Sequence, residues 1–204
     1  MNTYYNCHGG CFHGKCTIAM ADGSYKPLRE VRRGDRVLTG AGAAATVACV
    51  TRTQSSEGSG KRMQLVQVPK TRLLATPYHP VRVEGQWAFP SDLGAARAVD
   101  CAAVFNLLLS GTHASMLIEG VECVSLGHGL KGKVVGHAYF GDRQAVTADL
   151  KKMPGWSRGV VDLCAGDFVR DANTNKVVAM RREVHHVSKQ HQRFDSTVTV
   201  TTSH

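Results

Sequence analysis

The chain has 204 residues, enough for one large domain with a hydrophobic core, or for a domain with an appendage. No stretch reaches the ~18 consecutive apolar residues of a membrane helix, and the first residues lack the basic and apolar regions of a signal peptide. These features favour a soluble, intracellular protein without a membrane span. Aromatic residues make up 6% and there are 21 glycines, which favours a turn-rich β protein over a helical bundle.

The formal net charge is +9, from 25 basic and 16 acidic residues. The basic residues are scattered along the chain and are accompanied by no recognition helix, aromatic platform or zinc-finger spacing. We therefore expect a solvated basic surface with no specific nucleic-acid partner. The protein is expected to be a monomer.

Seven cysteines occur in the sequence, an odd number that argues for reduced thiols and against a disulfide framework. Five of the first sixteen residues form a Cys/His-rich group that invites a zinc hypothesis: Cys7, His8, Cys11, His13 and Cys16. Structural zinc sites usually contain C-x-x-C pairs, and this sequence has none. We assign no metal and no cofactor, although a zinc-stabilised module through Cys7, Cys11 and Cys16 stays an alternative.

The most informative stretch begins at Gly10-Cys11. Because Gly10 has no side chain, its carbonyl carbon is unhindered, and a thiol beside such a carbonyl is half of an acyl-transfer site. An apolar segment over residues 16–20 predicts a strand, which ends at a turn at Asp22-Gly23.

Further strands are predicted over residues 36–38, 46–53 and 63–68, and a loop over residues 40–45. The next notable segment is T-P-Y-H-P, in which Thr76 and His79 are three residues apart. Held by two prolines in a turn, this spacing can direct a hydroxyl and an imidazole to one point.

In the second half, residues 102–109 form an apolar run of strand length, interrupted by Asn106. His113 follows, and then a hairpin with its turn at Glu119-Gly120. A helix is predicted over residues 142–153, and two strands over residues 159–170 and 176–182. The alternation in residues 197–201 is typical of an edge strand.

Three blocks occur in a set order: G-C-F-H-G-K-C-T-I at residues 10–18, A-T-P-Y-H-P at 75–80, and V-F-N-L-L-L with I-E-G-V-E-C at 104–123. Together they resemble the Hint (hedgehog/intein) self-processing family. The motifs L-G-H-G and P-G-W-S-R-G are similar to its Vint branch, which accompanies von Willebrand factor A domains. The resemblance implies a mostly β fold, the Hint horseshoe of curved antiparallel strands with a small, partly helical C-terminal extension. Three parts are expected: an N-terminal leader at 1–10, a Hint core at 11–130, and an extension at 131–204 that packs on or beside the core.

The resemblance also implies autocatalytic cleavage through an N-to-S acyl shift at Gly10-Cys11, with the chain's own N-terminal segment as substrate. Cys11 would be the nucleophile, His79 the proton carrier, and Thr76 the residue that orients the scissile amide or stabilises the oxyanion. His113 would be a second proton carrier. Asn106 and Cys123 are secondary candidates.

The acceptor of the resulting thioester stays open. The family's His-Asn ending is missing after Cys123, so splicing is not expected. The strand at residues 46–53 carries Arg52 and no acidic residue, unlike the hedgehog strand that it resembles, which argues against sterol transfer. Water or a small nucleophile remains. The alternative is a Hint-fold interaction module without catalytic activity.

Overall fold

The computed structural model of the protein describes residues 10–55 and 61–182. Within them the chain is mostly β, and two α-helices are short. This confirms the expected mostly β fold with a partly helical C-terminal extension. The segment 1–9, the strand predicted at 197–201 and Cys7 and His8 of the zinc hypothesis lie outside the described residues.

The first half of the described chain is built from nine short strands and one longer one, β5. They are β1 (Phe12–His13), β2 (Thr17–Ala19), β3 (Tyr25–Pro27), β4 (Arg36–Leu38), β5 (Ala44–Gln54), β6 (Arg62–Gln67), β7 (Leu74–Ala75), β8 (Val81–Val83), β9 (Gln86–Ala88) and, after helix α1 (Pro90–Leu93), β10 (Arg97–Asp100).

The second half contains the remaining strands and the longer helix. They are β11 (Ala103–Leu109), β12 (Ser115–Ile118), β13 (Val121–Val124), α2 (Arg143–Lys152), β14 (Val160–Leu163), β15 (Phe168–Arg170) and β16 (Val177–Met180). Single 3-10 turns lie at Leu28–Glu30, Trp156–Arg158 and Ala165–Asp167.

Two larger sheets carry the first part of the chain. One has the order β10-β6-β7-β1-β11-β5-β14, with β4 on β5, and the other has the order β3-β2-β12-β13-β8-β9. The predicted hairpin is confirmed as β12 and β13, whose turn residues Glu119 and Gly120 both have positive φ angles of 49° and 75°. A two-residue turn with positive φ at both positions matches the twist of antiparallel strands. The first hydrophobic core is a continuous apolar cluster that includes Phe12, Ile18 and Leu107.

The part after β13 adds a second apolar cluster to the far side of β5. The helix predicted at 142–153 is confirmed as α2, and Asp142 caps it by accepting a hydrogen bond from the Ala145 amide at 3.0 Å. Strand β14 pairs with β5 in parallel, in contrast to the antiparallel pairs elsewhere among the described strands.

The single strand predicted over residues 159–170 is wrong, because a 3-10 turn at Ala165–Asp167 divides it into β14 and β15. The buried carboxylate of Asp167 accepts from the Cys164 amide at 2.9 Å and thereby stabilises the turn. Helix α2 and the β15–β16 hairpin then pack together over β5 and β14.

Candidate active site

The register of β1 determines the neighbours of Cys11. Strand β1 lies between β7 and β11, and Phe12 pairs with Ala75 on one side and with Phe105 on the other, both in antiparallel register. In an antiparallel pair, one step back on one strand corresponds to one step forward on its partner. Cys11 is therefore flanked by Thr76 and Asn106.

Both polar groups of the Gly10–Cys11 peptide bond are held by side chains from these flanking positions. The Cys11 amide donates to Thr76 Oγ1 at 3.0 Å, and the Gly10 carbonyl accepts from Asn106 Nδ2 at 2.7 Å. The Leu107 amide donates to Asn106 Oδ1 at 2.7 Å, which determines which way the Asn106 amide points. The site thus presents a hydrogen-bond donor to the carbonyl oxygen that would become an oxyanion.

His79 follows Thr76 through a turn in which the His79 amide donates to the Thr76 carbonyl at 3.2 Å. Its ring is 1% exposed and packs on Phe12 with 4.0 Å between the ring centroids. Nε2 lies 2.9 Å from the Val124 carbonyl, and because a carbonyl only accepts, Nε2 carries the proton in this bond. Nδ1 therefore keeps its lone pair in the neutral ring.

The unprotonated Nδ1 faces Gly10. It has no hydrogen-bond partner of good geometry among the described residues, and a Cβ added to Gly10 would lie only 2.3 Å from it. Burial lowers the pKa of His79 to about 4, and the backbone of Val124 and Gly10 opposes this shift only in part. At neutral pH the imidazole is consequently uncharged and able to accept a proton beside the Gly10–Cys11 bond.

The thiol of Cys11 is 2% exposed and faces β5, where its Sγ lies 3.9 Å from Thr53 Oγ1. Residues of a strand alternate between its two faces. Thr51 and Thr53 thus lie on the side of Cys11, whereas Arg52 lies on the other side and pairs with Asp162 of β14, with Nη2 2.8 Å from Oδ2. The arginine noted in the sequence is therefore not beside the thiol, and a threonine is.

A small cavity adjoins Gly10 and Cys11, with about 10 Å³ of space for the centre of a water molecule. Thr51, Thr53 and Asn106 line it from the core sheet. The other wall is apolar and comes from residues after β13: Leu126, Phe140, Leu163, Phe168 and Met180.

The sequence matches the family Vint, described as a Hint-domain, over residues 10–179. The chain belongs to the Vint family of Hint domains. The match begins at Gly10, the residue before Cys11, and extends into the last described strand, β16.

Solved intein structures resemble part of this Vint domain at low sequence identity. The MchDnaB-1 intein is 14% identical with a TM-score of 0.44, and the match covers 56% of this chain and 99% of that one. The gp41-1 intein is 13% identical with a TM-score of 0.43, covering 57% and 99%. A DnaB intein from Synechocystis sp. PCC 6803 is 15% identical with a TM-score of 0.40, covering 57% and 99%.

Two of the predicted site residues of the Vint domain are not brought to the Gly10–Cys11 bond. His113 lies in the turn between β11 and β12, where its carbonyl accepts from Arg143 Nη2 at 3.0 Å, and its ring makes no hydrogen bond to Cys11, Thr76 or His79. Cys123 is fully buried in β13, and burial raises the pKa of its thiol well above the usual range. Neither the role of His113 as a second proton carrier nor that of Cys123 as a secondary candidate has a contact to support it.

Thr53 was not predicted as a neighbour of the thiol, and Asn106 was predicted only as a secondary candidate, without its contact to the Gly10 carbonyl. The alternation of β5 places Thr51 and Thr53 on one face, but it does not say which face meets Cys11. Two buried histidines, His128 and His137, were not predicted either; burial lowers the pKa of each to about 4. The motif L-G-H-G, which contains His128, indicated the family but did not predict that the His128 ring is buried.

Metal ligands are not grouped in the part of the Vint domain that the structure describes, where no three His, Cys, Asp or Glu side chains are placed to hold an ion. Cys16, one of the three thiols in the zinc alternative, instead packs in the core and accepts from the Leu74 amide at 3.4 Å. The six cysteines of the described ranges form no disulfide with one another. None of the helices described is both long and apolar enough to cross a bilayer.

Proposed function

We propose that this chain cleaves its own Gly10–Cys11 bond through an N-to-S acyl shift, followed by resolution of the thioester by water or another nucleophile. The observation that carries the proposal is the pair of side-chain hydrogen bonds on the scissile peptide unit. Asn106 binds the Gly10 oxygen and Thr76 binds the Cys11 nitrogen. Membership of a self-processing family supports the same chemistry.

In the proposed reaction, Cys11 Sγ attacks the Gly10 carbonyl carbon, and the oxygen becomes negatively charged while Asn106 Nδ2 donates to it. The thiol proton passes to neutral His79, whose Nδ1 faces Gly10. The imidazolium then protonates the Cys11 nitrogen, the C–N bond breaks, and a thioester and a free amine result.

This order agrees with the expected role of His79 as the proton carrier and gives the sequence of its two steps. An imidazole with a pKa of about 4 is neutral at rest, so it begins as the base and becomes the acid only after it has taken the thiol proton. Thr76 keeps the nitrogen oriented throughout, because its hydroxyl already accepts from the Cys11 amide. One histidine therefore serves both steps.

The test is the mass of the purified chain over time, with samples denatured in acid and then treated with hydroxylamine. We expect loss of residues 1–10 in the wild type, because a thioester at Cys11 is open to hydroxylamine once the chain is unfolded. Cys11→Ala should stay full-length. Cys49→Ala is the matched control, because Cys49 is an equally buried free thiol on β5 that does not line the site.

An intact wild-type chain with no hydroxylamine-labile linkage, behaving as Cys11→Ala does, would contradict the proposal. In that case the family fold would serve as an interaction module. Loss of cleavage in Cys49→Ala would instead point to a general effect of removing a buried thiol.

A further inference from the structure

The cavity beside Cys11 has walls from two different parts of the chain. One wall belongs to the sheet that holds the Gly10–Cys11 bond and includes Thr53, whose hydroxyl lies 3.9 Å from the Cys11 sulfur. The other wall is apolar and is contributed by residues after β13. A nucleophile that reaches the thioester from this side must fit between the two.

The apolar wall is a packed layer. Phe140, Leu163, Phe168 and Met180 are each at most 7% exposed and belong to one apolar cluster with α2. Phe140 and Phe168 contact each other edge to face, with 6.4 Å between ring centroids. We call these four residues the roof. They separate the Cys11 side of β5 from solvent.

The size of the cavity decides which nucleophile fits. A water molecule needs ~10–15 Å³ of such space and two to four polar partners, so the 10 Å³ beside Cys11 correspond to about one water molecule. Gly10 and Thr53, which carry a carbonyl and a hydroxyl, are among the residues that line it. A thiol reagent of several heavy atoms, or a sterol, does not fit without displacing the roof.

We infer that the roof makes water the acceptor of the Cys11 thioester and excludes larger nucleophiles, with Thr53 as the residue that positions the water. This inference rests on the proposed function. The water oxygen adds to the Gly10 carbonyl carbon and the C–S bond breaks. One water proton passes to the sulfur, which leaves a carboxylic acid on Gly10 and a free thiol and amine on Cys11.

The experiment follows the products of the full chain in H₂¹⁸O buffer that contains 2-mercaptoethanesulfonate. In the folded wild type we expect the released N-terminal segment to end in an ¹⁸O-labelled carboxylate. Capture by the thiol should be at least 10-fold slower than for a free peptide thioester in the same buffer. The wild type alone thus decides whether the thioester is shielded.

Variants of roof residues then test whether the roof is what protects the thioester from the thiol. Phe168→Ala should raise the thiol-captured share at least 5-fold, and Met180→Ala is a second roof variant for use if the first is destabilised. Leu150→Ala is the matched control: it removes a fully buried side chain of α2 from the same cluster, but Leu150 does not line the cavity. Its product ratio should equal that of the wild type.

Thr53 has its own readout. Thr53→Val keeps the shape of the side chain and removes the hydroxyl, so the thioester should still form but its hydrolysis should slow. The hydroxylamine-labile, uncleaved form should then accumulate relative to the wild type. Unchanged accumulation would remove Thr53 from the inference.

The two ways of failing are distinguishable. If no thioester or cleavage is found in the wild type, the proposed function fails. If cleavage proceeds but the folded wild type is captured by the thiol as fast as a free peptide thioester, only the roof inference is overturned. It is likewise overturned if Leu150→Ala and Phe168→Ala raise thiol capture equally.

Discussion

Asn106 is the residue whose environment says most about its task. Its side chain is buried, its Oδ1 is occupied by the Leu107 amide, and its Nδ2 donates to the Gly10 carbonyl. A buried amide held at both ends keeps its donor aimed at one point without rearrangement during a reaction. The β1–β11 register supplies this geometry, because it places Asn106 opposite Cys11.

We predict that Asn106→Ala slows formation of the Cys11 thioester by ~100- to 1000-fold, the usual effect of losing one oxyanion donor. Asn106→Asp should be at least as slow, because it keeps an acceptor for Leu107 but replaces the donor with an oxygen. The measurement is the rate at which the hydroxylamine-labile linkage appears. Thermal unfolding shows whether each variant is folded, and a folded Asn106→Ala within twofold of the wild-type rate would contradict the role.

At the scale of elements, β5 connects the candidate site to the roof residues. One face carries Thr51 and Thr53 toward Cys11, while Arg52 on the other side pairs with Asp162 of β14. The Arg52 guanidinium holds the pKa of Asp162 below its usual range. The parallel β5–β14 pair and this ion pair together attach the second apolar cluster to the core sheet.

We predict that Asp162→Asn lowers the free energy of unfolding by at most about 1 kcal/mol at pH 7, since both partners are more than a third exposed and solvent screens them. The lowered pKa means that this stabilisation is present above the unfolded pKa near ~3.9 and is lost as the pH falls below it. Urea unfolding at pH 7 and pH 3 measures the difference, which should shrink at pH 3 and in high salt.

The control for that prediction is Asp100→Asn. Asp100 pairs with Arg62 at 3.3 Å but its side chain is 95% exposed, so its loss should not change stability measurably. Equal destabilisation by both variants would show that the Arg52–Asp162 pair has no particular part in holding β14.

For the whole molecule, the buried histidines determine the response to acid. His79, His128 and His137 are each at most 6% exposed, and burial lowers the pKa of each to about 4. In the unfolded chain an imidazole titrates near ~6.5. Between these values the unfolded state binds more protons, so stability is full above the unfolded pKa and decreases as the pH falls toward 4.

We predict that the free energy of unfolding is nearly constant above pH 7 and falls by several kcal/mol in total between about pH 6.5 and pH 4. His128→Asn should reduce the number of protons taken up on unfolding by about one, so stability should fall less steeply with pH. The reason is that Asn Oδ1 can replace Nδ1 as the acceptor for the Leu130 amide without titrating. Urea unfolding across this pH range measures both effects. Stability that does not change between pH 7 and pH 4 would contradict the burial of three neutral rings.

Local patterns in the sequence were sufficient for several elements. The apolar run around Asn106 predicted β11, Asp142 and the following periodicity predicted α2, and Glu119-Gly120 predicted the β12–β13 turn. The division of the predicted strand at 159–170 was missed, because it depends on the burial of one carboxylate, Asp167, which a linear pattern does not reveal.

What the sequence determined by itself was the candidate pair Gly10-Cys11, the T-x-x-H turn and the order of the family blocks, because these depend on residues that are close along the chain. Only the tertiary structure decided that Asn106 holds the Gly10 carbonyl, that His79 is neutral, and that Phe168 and Met180 cover the thiol. Each of these depends on strand register or on burial between segments far apart in sequence. Such contacts arise when the whole chain packs, and no local spacing encodes them.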